Sequence, residues 1–165
     1  MEANMIQPKE DMPVPKFLVC VDQHEESVAA LKFACLKAFT RGAVVDIVHI
    51  LPPADFQTLG MIADRMNEER RAEGEILLKR LSSEAVEHYG ITPGLILREG
   101  STGDELLKLI SEMADVSVLI VGTAHHMKGR GKLAAWLAQQ LGQKLFIPLL
   151  MVPGNLTDDQ IKALM

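Results

Sequence analysis

"VSVLIVGTAHHMKGRGK", residues 116–132, decides how this chain is put together. Its first part, "VSVLIVG" (116–122), is a short run of β-branched and aliphatic side chains. Such a run makes a strand buried on both faces, as in the middle of a parallel sheet. The second part, "GTAHHMKGRGK" (122–132), carries three glycines, two histidines and three basic side chains. A glycine-rich turn after a buried strand can bring backbone N–H groups up to a phosphate, or can simply turn the chain.

Working outward, the same apolar texture recurs four times. "KFLVCVD" (16–22), "AVVDIVHIL" (43–51), "GLILRE" (94–99) and "FIPLLMV" (146–152) read as the other strands, with Pro52 and Pro53 stopping the second. Helical patterns lie between them. In "EESVAALKFACLKAFTRG", Val28, Leu31, Ala34, Cys35 and Ala38 fall on one stripe. Glu25 and Glu26 suit the positive end of that helix, and Gly42 suits its close. "ADFQTLG" (54–60) reads as loop, and a charged helix runs from about Ile62 to His88. Ile76, Leu77, Leu81 and Ala85 supply its inner face, "NEERRAE" a solvated one, and Gly90 its end. In "STGDELLKLISEMA", Thr102 and Glu105 have the spacing of a capping box, with Leu106, Leu109, Ile110 and Met113 as the core stripe. A fourth helix runs within 132–146, and Thr157 caps one or two turns in the tail.

Apolar strands alternating with helices give an α/β protein with a doubly wound five-stranded parallel sheet and helices on both faces. The expected strand order is 3-2-1-4-5, whose switch point lies between strands 1 and 4. Ligands in such sheets sit beyond the carboxyl ends of the strands at that point. This gathers Asp22 and His24 on one side of a crevice, and Gly122 with its loop on the other. The expected organisation is an N-terminal arm over 1–15, one domain over 16–153 and a tail over 154–165.

At 165 residues a single domain can bury a core without disulfides or metal staples. The net charge of -5 excludes a broad nucleic-acid footprint, which needs a basic face. No apolar run approaches the ~20 residues of a membrane-spanning helix. The first 16 residues hold three prolines and no apolar signal core. Cys20 and Cys35, both among apolar neighbours, read as reduced thiols of a cytoplasmic protein. No nucleophile–base–acid set stands out, so an enzyme is not expected.

At these residues the sequence resembles the universal stress protein family. "VDQHEESVAALKFA" is similar to that family's opening "VDGSExSxxAL", "REGSTGDELLKLISEMADVSVLIVGT" to its "xxGxPxxxIxxxAxxxxxDLIVxGS", and "IPLLMV" to its closing "CPVLVV". The resemblance implies the 3-2-1-4-5 sheet, of adenine nucleotide alpha hydrolase type, and a homodimer through the fifth strand. Ile147, Leu149, Leu150, Met151 and Val152 would form that interface, because the run lacks the charges that blunt a sheet edge.

One branch of the family binds ATP through Gly-x2-Gly-x9-Gly-Ser/Thr after the fourth strand. Counted without gaps, Gly122 matches the first glycine, His125 stands at the second, Ala135 at the third and Trp136 at the hydroxyl residue. Histidine adds bulk where bare backbone would grip phosphate, and tryptophan removes a hydroxyl donor. The expectation is therefore a non-catalytic stress-response protein, acting as a dimer with a degraded ATP motif and no cofactor. The alternative is an ATP- or AMP-binding regulatory protein with an atypical phosphate loop. For that alternative the candidate contacts are Asp22, Ile50, Gly122, Thr123, His125, Gly129, Gly131, Ala135 and Trp136. Asp22 is either a ribose contact or a strand-end carboxylate accepting from the next helix's backbone. Trp136 is either a stacking platform or a packing aromatic. His24, His125 and His126 with Asp22 lack tight ligand spacing, and no metal is expected.

Overall fold

A computed structural model describes residues 13–54, 60–124 and 132–165. Five strands form one all-parallel sheet: β1 (Lys16–Cys20), β2 (Val44–Leu51), β3 (Gly94–Glu99), β4 (Val118–Thr123) and β5 (Leu149–Pro153). Their order is β3-β2-β1-β4-β5, as expected. Five helices accompany them: α1 (Glu25–Arg41), α2 (Met61–Tyr89), α3 (Thr102–Met113), α4 (Lys132–Gln140) and α5 (Asp158–Ala163).

Successive strand residues point to opposite faces, so the sheet has a core on each side. Val19, Val45, Ile47 and Ile120 face α1, α2 and α5. Leu18, Val48, Leu119 and Val121 face α3 and α4. Burying each of these side chains fully contributes about 1.5–3 kcal/mol. The central strands are covered twice, which explains why they read as continuous apolar runs.

Several boundaries differ from expectation, each for a local reason. The first strand ends at Cys20, because Asp22 turns the chain into α1. The fifth begins at Leu149 rather than at 146. Its ladder with β4 opens with the Leu119 N–H donating to the Pro148 carbonyl (3.0 Å), and proline has no N–H to extend it backwards. Phe146 and Ile147 therefore precede the strand. α4 stops at Gln140, before Gly142 takes a left-handed φ of 76°.

On α2 the buried line is Gly74, Leu78, Leu81 and Ala85. Ile76 sits off that helical phase and is 66% exposed, so it is not part of the inner face. Thr102 is the first residue of α3, not its cap. Ser101 holds the cap position without a side-chain hydrogen bond, and Glu105 turns instead to the Arg98 guanidinium (3.2 Å). The reciprocal box forms in the tail: the Gln160 N–H donates to the Thr157 hydroxyl (3.2 Å), and the Thr157 N–H to Gln160 Oε1 (2.9 Å).

Candidate functional site

β1 and β4 are neighbours, but the chain leaves them toward opposite edges of the sheet. The crevice this opens at their carboxyl ends is about 270 Å³. Its β1 side is built by a tight turn. Asp22 Oδ1 accepts the His24 N–H (2.7 Å), and Oδ2 lies 3.1 Å from His24 Nδ1. A carboxylate bonding the backbone two residues on is a standard way to reverse the chain at a helix start. Ser27 secures the turn, accepting the Asp22 N–H (3.0 Å) and donating to the Asp22 carbonyl (2.7 Å). Asp22 thus accepts from the backbone of His24, the residue that caps α1, while its side chain still lines the crevice.

The β4 side depends on Gly122. A Cβ there would meet the Glu26 carbonyl oxygen at 2.0 Å, so glycine is what lets β4 pack against the first turn of α1. Beyond Thr123 and Ala124, the opposite wall is the start of α4, Lys132 to Ala134. That turn holds no acidic residue. The positive end of the α4 dipole and the charge of Lys132 give this side a positive character facing Asp22. Cys20 lies on the floor, where burial, reinforced by the Asp22 charge, pushes the thiol up to about 12.

The predicted site residues divide into three groups. Asp22 and Gly122 line the crevice, and Thr123 is half-buried at the end of β4. Ile50 is 5% exposed and packs in the core facing α3 and α4. Ala135 and Trp136 lie in the body of α4 and do not line the crevice; the Trp136 ring rests against Gly103 of α3. His125, His126, Gly129 and Gly131 lie outside the described residues. No group of three potential metal ligands occurs among the described residues.

Lys132 was open to pairing with phosphate on the sequence alone, but Leu133 and Ala134 as part of the opposing wall were not anticipated. Sequence reasoning also missed a neighbouring recess of about 400 Å³ at the end of β2, bordered by His49, Arg70 and Glu73. His49 Nδ1 lies 2.8 Å from the Val21 carbonyl. A carbonyl only accepts, so Nδ1 carries the proton.

Fold and crevice together define a doubly wound α/β protein with an opening at its topological switch point. The model described as the universal stress protein family matches residues 14–153, and the chain belongs to that family. A universal stress protein from Burkholderia pseudomallei superposes with TM-score 0.66 at 20% identity, over 84% of this chain and 95% of that one. The Archaeoglobus fulgidus protein in complex with dAMP gives 0.59 at 18%, over 85% and 98%. An Arabidopsis thaliana family protein with AMP bound gives 0.59 at 14%, over 88% and 94%. No curated protein shows a significant sequence match to this chain. None of the helices among the described residues is long and apolar enough to cross a membrane.

Proposed function

We propose that this chain is a non-catalytic stress-response protein that works as a homodimer joined through β5. The carrying observation is the β5 edge. Leu149 and Leu150 are half-buried, Met151 is 48% exposed, and Phe146 just before the strand is 78% exposed. An edge strand without charges invites a partner strand, and the same strand of a second copy satisfies it in a two-fold interface. The absence of catalysis is supported by how the nucleophiles in the crevice are used. Cys20 is held protonated, and Ser27 is spent on the turn at Asp22. Light scattering at micromolar concentration tests the reading: a dimer is expected, and Met151→Lys gives a monomer. A monomeric parent protein overturns it.

A second reading is favoured by the crevice itself, which is the binding of an adenosine mononucleotide. An acid on one wall and a positive helix start on the other suit a ribose and a phosphate. The volume of about 270 Å³ is close to the lower end of the ~300–1,000 Å³ usual for small-molecule sites. Relatives crystallised with AMP and dAMP support the same ligand class. A ligand above its Kd raises the melting temperature. AMP is expected to raise it more than ATP at equal concentration, and no shift with either at millimolar concentration removes this reading.

A further inference from the structure

β5 has a second apolar feature beside its open edge. A groove of about 270 Å³ lies between the strand, Phe33 of α1, and Leu156 and Leu164 of the tail. No charged side chain lines it. Its outer wall lies beyond residue 153, where the match to the family ends. Leu164 on that wall is 54% exposed. Phe146, ahead of the strand, is 78% exposed and does not line the groove of its own chain. Leu145, Ile147 and Leu149 pack toward α3 and α4, whereas Leu150 and Val152 pack toward α1. Side chains alternate along an extended chain, so Phe146, flanked by Leu145 and Ile147, stands on the α1 face. The groove is on that same face.

We propose that the groove is filled by the Phe146 ring of a second copy, a reading that rests on the β5 homodimer proposed above. Backbone groups set the register. The Leu119 N–H donates to the Pro148 carbonyl and the Gly154 N–H to the Thr123 carbonyl, so even-numbered residues turn their groups to β4. These groups alternate along a strand, so those of Leu149, Met151 and Pro153 turn to the open edge. A two-fold axis normal to the sheet makes the mated strand antiparallel and keeps α1 of both copies on one face. Centred on Leu150, the axis lets Leu149 exchange both bonds with the partner's Met151. Centred on Met151, it sets Leu149 opposite the partner's Pro153, which has only a carbonyl to offer. The first register brings Phe146 level with the partner's Gly154, and the second with the partner's Leu156. Both positions lie just past the end of β5, where the groove is. Roughly 150 Å³ is enough to hold benzene, and the groove exceeds that. The contact forms twice by symmetry, and each copy supplies one ring and one groove.

The test is the dimer Kd of the full-length protein, read by sedimentation equilibrium. Phe146→Ala and Leu164→Ala remove exposed side chains, so both variants are expected to melt where the parent does. Phe146→Ala is expected to weaken the dimer by about tenfold or more, as loss of a ring from an interface pocket does. Leu164→Ala is expected to weaken it less. The double variant is expected to be little weaker than Phe146→Ala alone, because ring and wall make one contact and their effects do not add. Losses that multiply in the double variant overturn the proposal. A dimer that Met151→Lys dissociates and Phe146→Ala leaves unchanged overturns this proposal alone. A monomeric parent, or a dimer that Met151→Lys leaves intact, overturns the β5 reading and the proposal with it.

Discussion

Gly122→Ala separates two explanations of one glycine. In the family's ATP motif this position lets backbone approach phosphate; here its neighbour is the protein itself. An alanine Cβ would lie 2.0 Å from the Glu26 carbonyl oxygen, 2.3 Å from the carbonyl carbon and 2.9 Å from Glu26 Cβ. The obstruction is helix backbone, which cannot rotate aside as a side chain would. β4 and the start of α1 must separate by roughly 1 Å, across a core packed as densely as a crystal. Overpacking costs about 1–3 kcal/mol, and a backbone obstacle places this case at about 3. A chain of this size loses about 2–4 °C per kcal/mol, so Tm should fall by about 6–12 °C. Gly42→Ala is the control. Gly42 has φ +65° with nothing within 4 Å of an added Cβ, so only left-handed strain of about 1 kcal/mol applies, or about 3 °C. Scanning calorimetry without ligand reads both. Gly122→Ala keeps its N–H, so a loss of stability without nucleotide cannot come from phosphate binding. A Gly122→Ala fall no larger than that of Gly42→Ala would refute the packing argument.

Three further outcomes follow from the geometry. Trp136→Ala should cost about 2 kcal/mol in urea unfolding, below the ~3–5 of a fully buried ring because Trp136 is half-buried; Gly103→Ala, whose Cβ would meet the ring at 2.4 Å, should shift the emission of this sole tryptophan. The Lys32 hydrogen bond holds the Asp158 carboxyl below its ordinary 3.8, so the pair's hold on α5 is full above that pH and is lost as acid protonates the folded carboxylate; Asp158→Asn should speed hydrogen exchange in α5 at neutral pH and remove that acid dependence. Burial pushes both Cys20 and Cys35 up to about 12, so a thiol reagent at pH 8 should find neither in the native protein and both after denaturation.

The fold was legible because its central strands leave no polar face: "VSVLIVG" and "KFLVCVD" can only be covered twice, and that demands helices between them. Element ends were legible where one residue type decides, as at Gly42 and Gly90, both left-handed and both closing a helix. They were not legible where two candidates compete. Ser101 and Thr102 both suit a cap, and Arg98 settles the matter from β3 by drawing Glu105 into a pair the local sequence does not show. Ile76 is as apolar as Leu78 but two residues away on α2, and only the position of the sheet decides which is buried. Trp136 was open between ligand and core until Gly103, thirty-three residues earlier, supplied the flat surface beneath its ring.

The site tests a different kind of legibility. A motif counted in residues assumes a loop of fixed length, whereas a phosphate is held by a helix start, wherever the chain puts it. The gap-free count sets Ala135 and Trp136 at the glycine–hydroxyl pair, yet α4 begins at Lys132. Those two residues therefore lie up to a turn inside the helix, where their N–H groups are no longer all free. What faces Asp22 across the crevice is Lys132 to Ala134. The replacement of the motif's hydroxyl residue by tryptophan then says little about this opening. The substitution that matters chemically is a lysine at the helix start, which brings a full charge to a place where the motif brings only a dipole and a hydroxyl. A full charge suits the dianion of a monophosphate, so the proposed mononucleotide site does not require the hydroxyl residue of the triphosphate motif.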